Sequence, residues 1–123
     1  MARELEDNYK SEVAIKIAER NNPRVKKILM DAIGKYGFVR ADFSGKDLSG
    51  ADLFNADLRA VKFVDTNLYG ANLAFTTLYG ATLTRADLSL ANLTGADLRE
   101  ANFSWAKLTE ANFDYAIFLS TRM

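Results

Sequence analysis

From Phe38 to Phe118 a large apolar residue recurs at every fifth position. The series begins Phe38, Phe43, Leu48, Leu53, Leu58, Phe63 and continues unbroken to Leu108, Phe113 and Phe118. Two positions before most of them stands Ala, and Asp or Asn stands between the two. Ser, Thr or Gly often follows. An α-helix turns about 100° per residue, so five residues overshoot a full turn by about 140° and build no stripe. A straight strand alternates its faces with period two, so an odd spacing flips each successive leucine to the other face. The pattern therefore requires one bend per repeat. Ala-Asp-Leu predicts a short extended stretch with Ala and Leu inward and Asp outward. The residues after it, as in Leu48-Ser49-Gly50, predict the corner.

A chain that bends the same way every five residues becomes a coil. The units Ala41-Asp42-Phe43, Ala51-Asp52-Leu53, Ala86-Asp87-Leu88 and Ala96-Asp97-Leu98 resemble the A-(D/N)-(L/F)-x-x signature of the pentapeptide-repeat family. The resemblance implies an all-β solenoid: a right-handed quadrilateral β-helix of about four coils, with four repeats and twenty residues per turn. Two domains are expected, an N-terminal helical cap over residues 1–37 and the β-helix over 38–123.

The first segment does not keep the beat. Leu5, Tyr9, Val13 and Ile17 recur at spacing four with Ala14 and Ala18 beside them, a helical face. Asn22-Pro23 reads as an N-cap followed by Pro at the first helical position. Val25, Ile28, Leu29, Ala32 and Ile33 form the next stripe, and Gly34 is a candidate stop. Two helices are expected, about 4–20 and 23–34. Their simplest role is to cover the first coil, which otherwise exposes apolar core and unpaired backbone. Lys46 stands at an inward position where Ala is usual. Its ammonium needs an exit through the open end or a carboxylate such as Asp31.

Placing residues twenty apart in one column separates core from surface. Phe43, Phe63, Leu83 and Phe103 share an inward column, predicting three stacked rings. Thr66 and Thr76 replace inward Ala, so their hydroxyls need acceptors. On the outside, Phe54 and Phe75 fall on adjacent coils at corner positions, and Tyr115 shares the column of Phe75 with Gly95 between. These three residues form the candidate partner-contact patch. Asp42, Asp47, Asp52 and Asp57 ring the first coil facing diverging directions, which suits solvated corner-stabilising carboxylates and not a converging cation site.

Composition removes several classes of function. The 123 residues hold no Cys and no His, so disulfides, thiol nucleophiles and the commonest general base are excluded. Catalysis is not expected, and neither is a cofactor or metal. The 16 basic residues balance the 16 acidic ones, with no basic tract for direct nucleic-acid binding. The charged N-terminus and the lack of a long apolar run point to a cytoplasmic protein without a membrane segment.

At the C-terminal end Phe113, Ile117, Phe118 and Leu119 make the last coil unusually apolar. They are candidates for self-association into a two-fold dimer, as family members acting on topoisomerases dimerise through their C-terminal coils. The leading expectation is a non-enzymatic interaction module, a rigid rod presenting ladder faces to a protein partner. The alternative carried by the resemblance is a DNA-mimicking modulator of a type II topoisomerase such as gyrase. The repeats hold eight basic and ten acidic residues, far from the acidic rod that mimicry uses.

Overall fold

The computed structural model describes residues 2–123, and side chains from Tyr9 onward. Helix α1 spans Ala2–Glu19 and helix α2 spans Pro23–Ala32. The Asn22 side chain accepts the Val25 N–H at 3.0 Å, and Pro23 opens the helix as its sequence position demands. Val25 and Leu29 are buried, with Ile28, Ala32 and Ile33 packed at their edge. The α1 face is rotated from the expected one. Ala14, Ile17 and Ala18 are buried, while Tyr9 and Val13 are exposed and the Leu5 side chain lies outside the described residues. Small residues win this face because α1 lies close against the chain at Gly37, where an added Cβ would stand 2.9 Å from the Lys10 carbonyl oxygen. Gly34 does not stop α2, which ends two residues earlier. Gly34 instead pairs with Gly37 across Lys35-Tyr36 in a two-residue hairpin, with bonds of 3.0 and 3.1 Å.

The solenoid is built from single-residue parallel bridges at a spacing of twenty. Asp42 pairs with Lys62, Lys62 with Thr82, Thr82 with Asn102, and Asn102 with Arg122; the other three sides repeat the pattern. Each bridge has two bonds, as where the Phe43 N–H reaches the Lys62 carbonyl at 2.8 Å and the Lys62 N–H reaches that of Ala41 at 2.9 Å. Each corner up to that ending at Ala116 closes with a bond from the inward residue back to the previous central one, such as Ala51 N–H to Leu48 O at 3.0 Å. Positive φ at the third residue of these four makes them type II turns.

Glycine serves only some of the corners. Twelve non-glycine residues adopt φ between 54° and 65°, among them Phe75, Leu90, Trp105 and Tyr115. Such a conformation costs about 1–2 kcal/mol per residue. Two bonds offset it at each internal corner. One is the turn bond, and the other runs from the left-handed residue's own N–H to the next coil, as Phe75 N–H to Thr94 O at 2.8 Å.

Central residues from Phe38 to Phe103 are buried, and inward Ala lies beside them. Thr66 Oγ1 donates to the Phe43 carbonyl at 2.9 Å and Thr76 Oγ1 to that of Leu73 at 2.8 Å, so both hydroxyls are satisfied inside. The expected stack of three rings is a stack of two. Phe43 and Phe63 lie face to face at 5.4 Å and 16°, but Leu83 interrupts the column, and Phe103 meets the edge of Phe113 instead.

Asp or Asn at the outward position has a defined task. Its Oδ1 accepts the N–H two residues on, as in Asp42 to Ser44 at 2.9 Å and Asn112 to Asp114 at 2.9 Å. This Asx turn holds the entry to the corner.

The helices meet the first coil through polar side chains as well as core. Asp52 directs its N–H and C=O toward where a preceding coil would lie. Asn21 takes both: Oδ1 accepts the N–H at 2.7 Å, and Nδ2 donates to the carbonyl at 3.1 Å. The same Nδ2 donates to the Ile17 carbonyl of α1 at 2.9 Å. Arg20 donates to the Phe54 carbonyl, and Arg24 to those of Asp47 and Ser49. Lys46 leaves the coil and lies exposed in a cleft beside Lys27, Ile28 and Asp31 of α2. Asp31 is taken by Lys27 at 2.9 Å, so the exit, and not an ion pair with Asp31, resolves the inward lysine.

Candidate interaction surface

One side of the solenoid carries Asp52, Asn72, Asn92 and Asn112 outward in a bridged column. At its corner the rings of Phe54 and Phe75 meet edge to face at 5.8 Å and 74°. Both remain exposed, at 41% and 54%. Phe75 does not project straight outward. Its ring lies along the column over Gly95, where an added Cβ would come within 2.5–2.6 Å of two ring carbons. Gly95 is thus the seat of the ring, a role that its place in the column hinted at only as a gap. Phe54 borders α1 beside Val13, Ile17 and Arg20, so the patch runs from the rod onto the helix.

Tyr115 is not part of this cluster. It stands one rung beyond Gly95, 88% exposed, and among the described residues no ring contact joins it to Phe75. Tyr69, Tyr79 and Trp105 are exposed on other corners.

At the C-terminal end Phe113 packs between Phe103 and Phe118, with ring separations of 6.1 and 5.7 Å. Ile117, Phe118 and Leu119 are 52%, 47% and 64% exposed. The N–H groups of Leu108, Phe113 and Phe118 have no backbone partner among the described residues, whereas in the coil before, the Leu88 N–H bonds Lys107 O. The last described coil therefore carries unpaired ladder groups beside exposed apolar side chains.

Several carboxylates are held by hydrogen bonds or by an arginine. The Ser44 backbone N–H holds the Asp42 carboxyl below its ordinary value, and the Ser89 N–H does the same for Asp87. Arg85 lowers Asp65 and Arg99 lowers Asp97 through paired hydrogen bonds. Contacts of 2.7–2.8 Å join Asp57 to Arg59, Asp65 to Arg85 and Asp97 to Arg99. Among the described residues no carboxylate cluster is placed to hold a metal ion, and no helix is long and apolar enough to cross a membrane.

The model for Pentapeptide repeats matches in eight copies over residues 38–68, 51–89 and 86–118. The chain belongs to the pentapeptide-repeat family. Members of the family fold as right-handed quadrilateral β-helices, the form to which four corners and a twenty-residue rung conform. Among solved structures, this pentapeptide-repeat chain is similar to HetL of the cyanobacterium Nostoc sp. PCC 7120, which is involved in heterocyst differentiation regulation. The two are 38% identical, the match covers 64% of this chain and 37% of HetL, and the TM-score is 0.64. It is also similar to alr5209 of Nostoc PCC 7120, at 40% identity over 63% of this chain and 64% of the other, TM-score 0.61. AT2G44920, from the Arabidopsis thaliana thylakoid lumen, is 38% identical over 65% of this chain and 59% of its own, TM-score 0.59. The chain thus spans less than two thirds of each of these proteins. No curated protein matches it.

Proposed function

We infer that the protein is a non-enzymatic interaction module whose helices cap the first coil and whose rod presents a preformed surface to a protein partner. The observation that carries this reading is the Phe54–Phe75 pair, two exposed rings locked against each other and against Gly95 on a rigid ladder. Binding to a surface already in shape loses little conformational freedom. The membership of HetL, a protein of developmental regulation, in the same family accords with such a role. Tyr115 adds an exposed aromatic further along the same column. The neutralising pairs at Asp57, Asp65 and Asp97 leave no continuous acidic ladder and so favour this reading over DNA mimicry.

The test is retention of a partner on the immobilised protein. Phe54→Ser with Phe75→Ser is expected to abolish it at unchanged circular dichroism. Retention equal to that of the unsubstituted protein would place the contact elsewhere.

The apolar face of the last coil is the second contact surface in this reading, used for self-association through Phe113, Ile117, Phe118 and Leu119. Burial of exposed Ile117, Phe118 and Leu119 together with ladder pairing drives a two-fold dimer. Light scattering at tens of micromolar is expected to give a dimer mass that Phe118→Glu halves. A monomer mass for the unsubstituted protein would refute it.

A further inference from the structure

One corner further round the rod from Phe54, a groove of about 500 Å³ lies between α1, the Gly34–Gly37 hairpin and the first two coils. Its positive charges are Lys10, Arg40 and Arg59. The compensating carboxylate is Asp57, and it is fully engaged by Arg59, whose Nε and Nη2 approach it at 2.9 and 2.7 Å. The second Nη of Arg59 has no acceptor among the described residues. Arg40 makes no ion pair and no side-chain hydrogen bond among them. The Lys10 ammonium stands 5.6 Å from the centre of the Tyr36 ring and not against a carboxylate. Among the described residues two cationic charges are therefore uncompensated beside a third group with a spare donor.

The floor and walls give the groove its shape. Arg40, Ala60, Gly80 and Glu100 form one corner column, all at positive φ. The small pair in the middle keeps the floor low, and a Cβ on Gly80 would meet nothing within 4 Å. Tyr36 and Tyr79, 37% and 39% exposed, wall the groove on either side. Glu100 ends the column beside the Tyr79 hydroxyl, and its carboxylate raises the tyrosine's pKa. The favourable place for negative charge is thus the Arg40 and Ala60 end.

We propose that this groove binds a phosphate monoester, with its oxygens on Arg40, Lys10 and the free nitrogen of Arg59. A phosphate monoester carries between about 1.5 and 2 negative charges at neutral pH and three acceptor oxygens, matching two uncompensated cations and several donors better than a carboxylate does. The space between the tyrosines holds the organic part. This site is independent of the Phe54–Phe75 patch, and either stands without the other.

Adenosine monophosphate, inorganic phosphate and adenosine are the probes, titrated into the full chain and followed by amide shifts. Adenosine monophosphate and phosphate are expected to give saturable shifts at Arg40, Ala60 and Gly80, and adenosine none. Arg40→Gln should weaken adenosine monophosphate about tenfold, the loss expected for a charged hydrogen bond. Lys107→Gln, on a different side of the last coil, should leave affinity unchanged. The proposal is overturned if adenosine binds as tightly as its phosphate. It is equally overturned if shifts follow every exposed cation without saturating, or if folded Arg40→Gln binds as the unsubstituted protein does.

Discussion

Phe63→Ala is expected to lower stability by about 3–5 kcal/mol, among the largest effects of any single truncation in the rod. Phe63 is fully buried and stacks on Phe43. Deleting the ring removes its transfer free energy and leaves a void. Its neighbours have little freedom to close in, because the backbone around it is pinned on both sides. The Lys62 N–H bonds Ala41 O at 2.9 Å toward the first coil, and the Phe63 N–H bonds Thr82 O at 2.7 Å toward the third. In a stack of repeats each layer depends on its neighbours alone, so the loss should be local at first. Chemical denaturation measures the total, and hydrogen exchange should show amides of the first three coils losing protection before those near Leu98. Phe63→Leu should recover most of the loss, since Leu83 already occupies the same column one coil on. A loss below about 1 kcal/mol for the alanine variant would mean that the coil can contract around the missing ring, contrary to the usual cost of a rigid cavity.

The second large effect is expected at Gly37. Its φ is +65°, and an added Cβ would lie 2.9 Å from the Lys10 carbonyl oxygen and 3.4 Å from the Ala14 Cβ. The first neighbour is helix backbone and cannot rotate aside. Gly37→Ala therefore combines a left-handed alanine with displacement of α1 from the first coil, a total of about 1–3 kcal/mol. Gly80 provides the control. It has φ +68° but open space at its Cβ position, so Gly80→Ala carries the conformational cost alone, about 1–2 kcal/mol. Thermal unfolding of the two variants, with exchange at α1 amides, separates the contributions. Equal losses in both, with α1 protection intact, would show that close approach of the helix is not what Gly37 provides.

The five-residue beat makes the coil legible because register and inward direction follow from arithmetic on the sequence. Thr66 and Thr76 fall inside by the same count, and chemistry alone says that their hydroxyls need acceptors. The corners were less legible. Local preference assigns them to glycine, whereas Phe75 and Leu90 enter the left-handed region because the bonds to adjacent coils outweigh the local cost. The two-ring stack has a different cause. A column places side chains above one another, but ring contact needs adjacent rungs, and Leu83 separates Phe63 from Phe103. On α1 the spacing of Tyr9, Val13 and Ile17 identified a helix but not the side that packs, because the Gly37 contact selects small residues.

The candidate surface shows the same division. That Phe54 and Phe75 point outward follows from the count. That Phe75 lies over Gly95, away from Tyr115, depends on a side-chain torsion that spacing does not encode. Asn21 carried no signal apart from its neighbour. Asn-Asn-Pro reads as one helix cap, yet Asn22 serves the helix and Asn21 serves the first coil.

The Asn21 amide is a peptide group without a chain attached to it. It offers Asp52 one donor and one acceptor, as a preceding strand would, and its remaining hydrogen is spent on Ile17. On this side of the rod it acts as a chain terminator for the ladder, leaving no further backbone edge to template another molecule. The other three sides differ, since the Asp42, Asp47 and Asp57 N–H groups have no hydrogen-bond partner among the described residues. A strand arriving at this end would therefore find backbone donors at Asp42, Asp47 and Asp57 but none at Asp52.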